Sequence, residues 1–154
     1  MEPLIDIEIE EDGWLDVLPD AQLVVETGIQ AVFKAIEFNE QVDIVVLLCD
    51  DKEMKALNKE YRQKDAPTNV LSFPAPKMPG IAHLGDMALG LETCVREAKE
   101  QQKTLKNHVL HLSIHGALHL LGYDHMNDEE AEIMEHLEMK ILKKMGIKNP
   151  YAED

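Results

Sequence analysis

The chain has 154 residues, a formal charge of -15, 45% hydrophobic residues and only two cysteines, Cys49 and Cys94. That length closes one hydrophobic core unaided, while two cysteines without CxxC spacing give neither a disulfide framework nor a thiolate metal site and read as ordinary buried thiols. The acid excess argues against a general nucleic-acid binder. The longest apolar run, Ile44 to Cys49, is too short to cross a bilayer and no signal pattern opens the chain, so one cytoplasmic domain spanning 1–154 with no membrane association is expected.

Ile5, Ile7 and Ile9 alternate with Asp6, Glu8 and Glu10, which predicts a half-buried strand. After Pro19, Asp20 can cap a helix whose apolar positions Ala21, Val25, Ile29, Val32 and Ile36 recur at helical spacing to about Phe38. Val42 to Cys49 is almost wholly apolar, as in a strand covered on both faces. Asp50 followed by Glu53 forms a capping box that starts a helix to about Tyr61. Arg62 to Asn69 reads as a loop, and Val70 to Phe73 and Leu84 to Leu89 as an antiparallel strand pair. From Glu92 the pattern is helical, broken by turns near Lys106, Gly122 and Gly146. The final helix, Asp128 to Met145, has Asn127 and Glu130 as its capping box and lysines in its last turn. Two helical crossovers and a hairpin predict an α+β fold: a mixed four-stranded sheet with one antiparallel strand, packed against helices.

The helix from Asn107 to Leu121 carries His108, His111, His115 and His119 in a stripe about 80° wide at about 100° per residue. Its other positions are apolar almost all round, so the helix is central and its imidazoles need partners. His115 and His119, at i and i+4, present their rings one helical turn apart, the placement two nitrogen ligands of a tetrahedral zinc require. Gly122 can turn the chain so that His125 approaches the same point. Three neutral ligands leave a fourth position open, the mark of a catalytic rather than structural ion. One Zn²⁺ per chain is therefore expected on His115, His119 and His125, although three imidazoles also suit other divalent transition metals. His111 is a candidate to support His115, while His83 and His136 read as surface or packing residues.

The spacing HxxxHxxGxxH is shared with metzincin proteases, in which a glutamate follows the first histidine as general base. Here that position is Gly116, which removes the base a zinc peptidase needs while keeping a zincin-like metal helix. The stretch HGALHLLGYDH, preceded by LNKEYRQKDAPTNVLSFP and LGDMAL, resembles the YbeY family of bacterial endoribonucleases over about residues 57–125, and the closing MGIKNPY resembles the family's tail. The resemblance implies a zinc-dependent, single-strand-specific endoribonuclease acting in maturation of the small-subunit ribosomal RNA 3′ end and in ribosome quality control. Its partners would be ribosomal RNA, the small ribosomal subunit and assembly factors. It carries the metal ligands onto His115, His119 and His125 and the required arginine onto Arg62, so that His115 and Arg62 serve catalysis. Asn69 stands where relatives often have Asp.

The residues themselves are compatible with this. Residues 50–110 hold ten Lys or Arg against nine Asp or Glu, so the acid lies at the two ends, and both arginines, Arg62 and Arg96, fall in that middle segment. Arg62 with Lys64 can clamp a phosphate, and Ser72 can hydrogen-bond substrate. The plainer alternatives are an arginine paired with Asp65 and a serine satisfying the local backbone. Asp124 is a base, a ligand-orienting group or simply a turn residue. Two other functions remain open: a zinc peptidase or other metallohydrolase, and a non-catalytic ribosome-assembly factor whose zinc holds helix and turn together.

Overall fold

The computed structural model describes residues 2–76, 78–80, 82–124 and 126–147. In chain order the elements are β1 (Leu4–Ile9), α1 (Gly13–Val17), α2 (Ala21–Ala35), β2 (Asp43–Cys49), α3 (Asp51–Arg62), β3 (Val70–Pro74), β4 (His83–Gly90), α4 (Leu91–Glu100), α5 (Leu105–Leu120) and α6 (Asp128–Lys144). The four strands form one sheet in the order β1-β2-β4-β3. β2 runs parallel to both β1 and β4, and β3 pairs antiparallel with β4 at the sheet's edge. This is the α+β architecture, with one antiparallel strand, that the pattern of elements predicts.

The two faces of the sheet are covered unequally. On one, Ile44, Val46 and Leu48 of β2 and Met87 and Leu89 of β4 join a single cluster with Val25 and Ile29 of α2, Ile114 and Leu118 of α5, and Ile141 and Leu142 of α6. On the other, α3 alone among the described helices lies down, its Met54 and Leu57 against Cys49, Leu71, Phe73 and Ala88. The expectation that β2 is buried on both faces is therefore corrected. Its burial alternates along Asp43 to Leu48, because α3 shields just part of the second face.

Local chemistry sets the helix boundaries. The Asp50 side chain accepts from the Glu53 amide at 2.8 Å, and that of Asn127 accepts from the Glu130 amide at 2.8 Å, as both capping boxes predict. The Glu130 carboxylate reaches back to the Met126 amide. Asp20 precedes its helix, yet its side chain makes no cap bond. α2 also stops short of Phe38, because Glu37 turns left-handed at φ 54° and the Phe38 amide bonds back to the Phe33 carbonyl. α5 begins earlier than expected: Thr104 caps it by accepting from the Asn107 amide at 3.1 Å. The short α1 had no periodic signal. It is held by Trp14, fully buried, whose indole donates to the Cys49 carbonyl at 2.9 Å. Cys49 and Cys94 are both buried and unpaired, as expected.

Candidate metal centre

α5 crosses the covered face of the sheet with its histidine stripe running from core to surface. The side chain of His108 is 3% exposed and that of His111 13%, rising to 25% at His115 and 22% at His119. One end of the stripe is therefore structural. The His108 Nε2 lies 3.0 Å from the Glu97 carboxylate, which also accepts from Asn69 Nδ2 at 2.9 Å, tying α4, α5 and the start of β3 together. Burial pushes the His108 pKa down from its ordinary value, more than Glu97 restores.

The other end forms the site. The Nε2 atoms of His115 and His119 face each other at 3.2 Å. Two nitrogens on one tetrahedral zinc ion sit roughly 3.3 Å apart, given Zn–N bonds of about 2.0–2.1 Å. Behind His115, Nδ1 contacts the carboxylate of Glu138 on α6, a residue with no exposed surface. A neutral imidazole that donates its Nδ1 proton to a carboxylate presents the Nε2 lone pair on its other side, which for His115 is the side facing His119. Behind His119, Nδ1 lies 3.9 Å from an oxygen of Asp124. Paired imidazole donors with carboxylates on their far sides are a common arrangement around bound divalent metal ions. The residues present fit one.

The turn after α5 forms as the sequence predicts. Gly122 takes φ 100°, its amide bonds the His119 carbonyl, and the Tyr123 amide bonds that of Leu118. His125, the third expected ligand, lies outside the described residues. Among the described residues no group of three His, Cys, Asp or Glu side chains is arranged to hold a metal ion.

Gly116, one residue beyond His115, faces the sheet. A Cβ there would stand 2.4 Å from Met87 Cε and 3.1 Å from Ser72 Oγ, so this face of α5 meets the sheet at a distance only a glycine allows comfortably. Ser72 Oγ donates to the Gly116 carbonyl at 3.1 Å, the backbone-satisfying role, and this brings the edge strand β3 beside the site.

Arg62 is not in a loop but ends α3, where a cation suits the helix dipole. It is exposed, as is Lys64, and among the described residues its side chain makes neither hydrogen bond nor ion pair. Asp65 instead lies 3.9 Å from Lys55. The turn beyond Arg62 passes through left-handed Gln63 and is latched by buried Asn58, whose amide donates to the Ala66 carbonyl at 2.8 Å. The neighbouring Tyr61 ring packs on Phe73 with centroids 4.9 Å apart. Ser72 and Phe73 point to opposite faces of β3, so α5 with its histidines and the end of α3 with Arg62 flank the same edge strand.

Glu138 and its contact to His111, 3.7 Å from Nε2 to the carboxylate, were not singled out from sequence. The signal existed. Met134, Glu138, Ile141 and Leu142 share one helical face, and all four are buried. A lone carboxylate on an apolar stripe marks a buried charge that must have partners.

Fold and site together define an α+β protein whose paired helix histidines, backed by carboxylates, stand beside the edge strand of a mixed sheet. The family model described as endoribonuclease YbeY matches residues 8–146. Proteins named endoribonuclease YbeY are similar along most of their length: that of Paracoccus denitrificans is 43% identical, covering 97% of this chain and 90% of its own. The Azorhizobium caulinodans protein is 44% identical with 96% of each chain covered, and that of a Chelativorans species 50% identical with 84% and 82% covered. The solution structure of TM1509 from Thermotoga maritima superposes with a TM-score of 0.54 at 25% identity, covering 98% of this chain and 97% of that one. The chain belongs to the YbeY family of endoribonucleases.

Proposed function

We propose that this endoribonuclease cleaves single-stranded RNA at a site holding one divalent metal ion, zinc by preference, and that it acts in the cytoplasm on small-subunit ribosomal RNA together with the small ribosomal subunit and its assembly factors. The observation that carries the reading is the pair of Nε2 atoms 3.2 Å apart, with Glu138 behind His115. His115, His119 and His125 would hold the ion. When bound, it supplies a Lewis acid that stabilises charge on a phosphoryl oxygen and lowers the pKa of water.

The chain's own residues do the rest. Glu138 holds the His115 ring with Nε2 toward His119, and Asp124 stands behind His119. Arg62, with its guanidinium uncommitted among the described residues, binds a phosphate of the RNA backbone and stabilises the charge that develops during phosphoryl transfer. Lys64 adds positive charge on the same turn. β3, bonded to a neighbouring strand on one side only, gives the RNA a border between Arg62 and the histidines, with Ser72 on its site-facing side. No helix among the described residues is long and apolar enough to cross a membrane.

A peptidase is disfavoured by Gly116, which supplies no carboxylate base and whose missing side chain would crowd Met87 and Ser72. The test uses purified, untagged protein on single-stranded and duplex RNA, with the variants His119→Ala and Arg62→Ala. Cleavage confined to single strands and reduced on the order of 100-fold or more in each variant is expected. Unchanged cleavage in both variants would overturn the assignment. Loss of folding on chelation, with Arg62→Ala leaving ribosomal RNA maturation intact in cells, would favour a non-catalytic assembly factor.

A further inference from the structure

Glu138 has no solvent exposure, although an ionised carboxylate is among the most costly groups to bury without partners. It projects from the apolar face of α6 between Met134 and Ile141 and meets the histidine stripe of α5 from beneath. Its Oε1 takes the Nδ1 side of His115, and its Oε2 lies 3.7 Å from the Nε2 of His111. One carboxylate is thus divided between two imidazoles one helical turn apart on α5. An ordinary structural ion pair needs one cationic partner. This geometry instead spends both oxygens on ring nitrogens on the side of His115 away from His119.

We propose that Glu138 is the positioning residue of the site: by accepting from His115 Nδ1 and bracing His111 beside it, it locks His115 in the tautomer whose Nε2 is unprotonated and aimed at His119, ready for a divalent metal ion. The lock follows from the hydrogen-bonding capacity of imidazole. A neutral ring carries one proton, and a carboxylate at Nδ1 keeps it there, leaving Nε2 as the donor atom toward the ion. Carboxylates behind metal-binding histidines are commonly worth 10–100-fold in affinity. Because Glu138 belongs to α6 and the histidines to α5, the same contact makes the packing of those two helices part of the site. The metal half of this inference rests on the proposed metal-dependent function; the tautomer half does not.

Two measurements test it. In the metal-free wild-type protein, long-range ¹H–¹⁵N correlation spectra, assigned through a His115→Asn variant, should show His115 protonated at Nδ1 and bare at Nε2. The opposite tautomer in the wild-type spectrum overturns the proposal whatever the zinc affinities of the Glu138 variants. Zinc affinity is then measured by competition with a chromophoric chelator for wild type, Glu138→Gln and Glu138→Leu. The expected loss is 10–100-fold for Glu138→Gln and at least as much for Glu138→Leu, with the Nδ1-protonated form of His115 no longer dominant in the latter. Affinity within twofold of wild type in a folded variant overturns the proposal. If wild-type protein binds no zinc, the metal reading itself fails, and the tautomer measurement tells that apart from a failure of Glu138.

Discussion

Ser72 and Gly116, 44 residues apart, are joined where the hydroxyl of the first donates to the carbonyl of the second at 3.1 Å, fastening the edge strand to the histidine helix one residue beyond His115. The contact explains why the position after the first histidine is glycine. In the HExxH arrangement that place holds a glutamate, but here a side chain would run into the buried Met87.

Gly116→Ala pits a gain in helix propensity of about 1 kcal/mol against crowding of Met87, whose methyl end can shift, at a cost of about 1–3 kcal/mol. A net loss of about 1 kcal/mol is expected. Gly116→Glu buries a charge with no partner and should cost about 3 kcal/mol or more. Urea denaturation of both variants checks the order, and a Glu variant as stable as wild type would refute this account of the glycine.

Asn58 is 3% exposed and its amide is the latch on the turn that follows Arg62. Asn58→Ala should destabilise the fold by about 1–2 kcal/mol, since the Ala66 carbonyl loses a partly buried donor. It should also loosen the segment carrying Lys64. The expected kinetic signature is a larger effect on KM for RNA than on kcat, because phosphate binding suffers before the chemistry at the histidines does. An effect on kcat alone would place the role of Asn58 elsewhere.

Much of this architecture was legible in the sequence, because period-two and near-3.6 periodicities report which face of an element is buried. The strands, the two capping boxes and the stripe on α5 all follow from such patterns. Helix ends were less legible. Glu37, Gln63 and Gln102 take left-handed φ angles of 54°, 60° and 56° without being glycine, so the residue type that signals a stop at Gly122 and Gly146 is missing there. α1 was missed because a five-residue helix is too short to show a period, and its anchor, Trp14, acts through one distant carbonyl. At the site, the spacing of His115 and His119 was readable along one helix, whereas the pairing of Glu138 with His115 joins two helices and needs the fold to reveal it.

His83 makes a different kind of contact, at the start of β4. Its Nδ1 lies 2.5 Å from Asp43 and its Nε2 3.2 Å from Asp86, and the hydrogen bond to Asp43, aided by Asp86, raises its pKa above 6.5 against a smaller desolvation effect. A raised folded-state pKa means the contribution is full below the unfolded value of 6.5 and disappears as pH rises through the folded one. The group is 30% exposed, so solvent screening keeps the effect below about 1 kcal/mol. His83→Gln should therefore lower the melting temperature at pH 5.5–6 and approach wild type at pH 9. A gap that widened with pH would show that the histidine is not held protonated.

His108 titrates in the opposite sense. Desolvation depresses its pKa below 6.5 despite the Glu97 contact, so the folded state prefers the neutral ring. Its contribution is intact above 6.5 and is lost as pH falls through the lowered folded value, because the unfolded chain then binds a proton the core resists. Replacing it with a residue that cannot titrate, His108→Gln, should flatten the acid limb of the stability curve. At pH 8 the variant should pay about 1–2 kcal/mol for the disturbed bond to Glu97. Zinc affinity should barely change, because His108 stands two turns from His115 on the buried part of the stripe. His119→Ala, by contrast, should abolish high-affinity zinc binding. Parallel urea titrations from pH 5 to 8, with zinc affinities at pH 8, test this division of the stripe. Loss of zinc binding in His108→Gln would show that the histidines act as one unit.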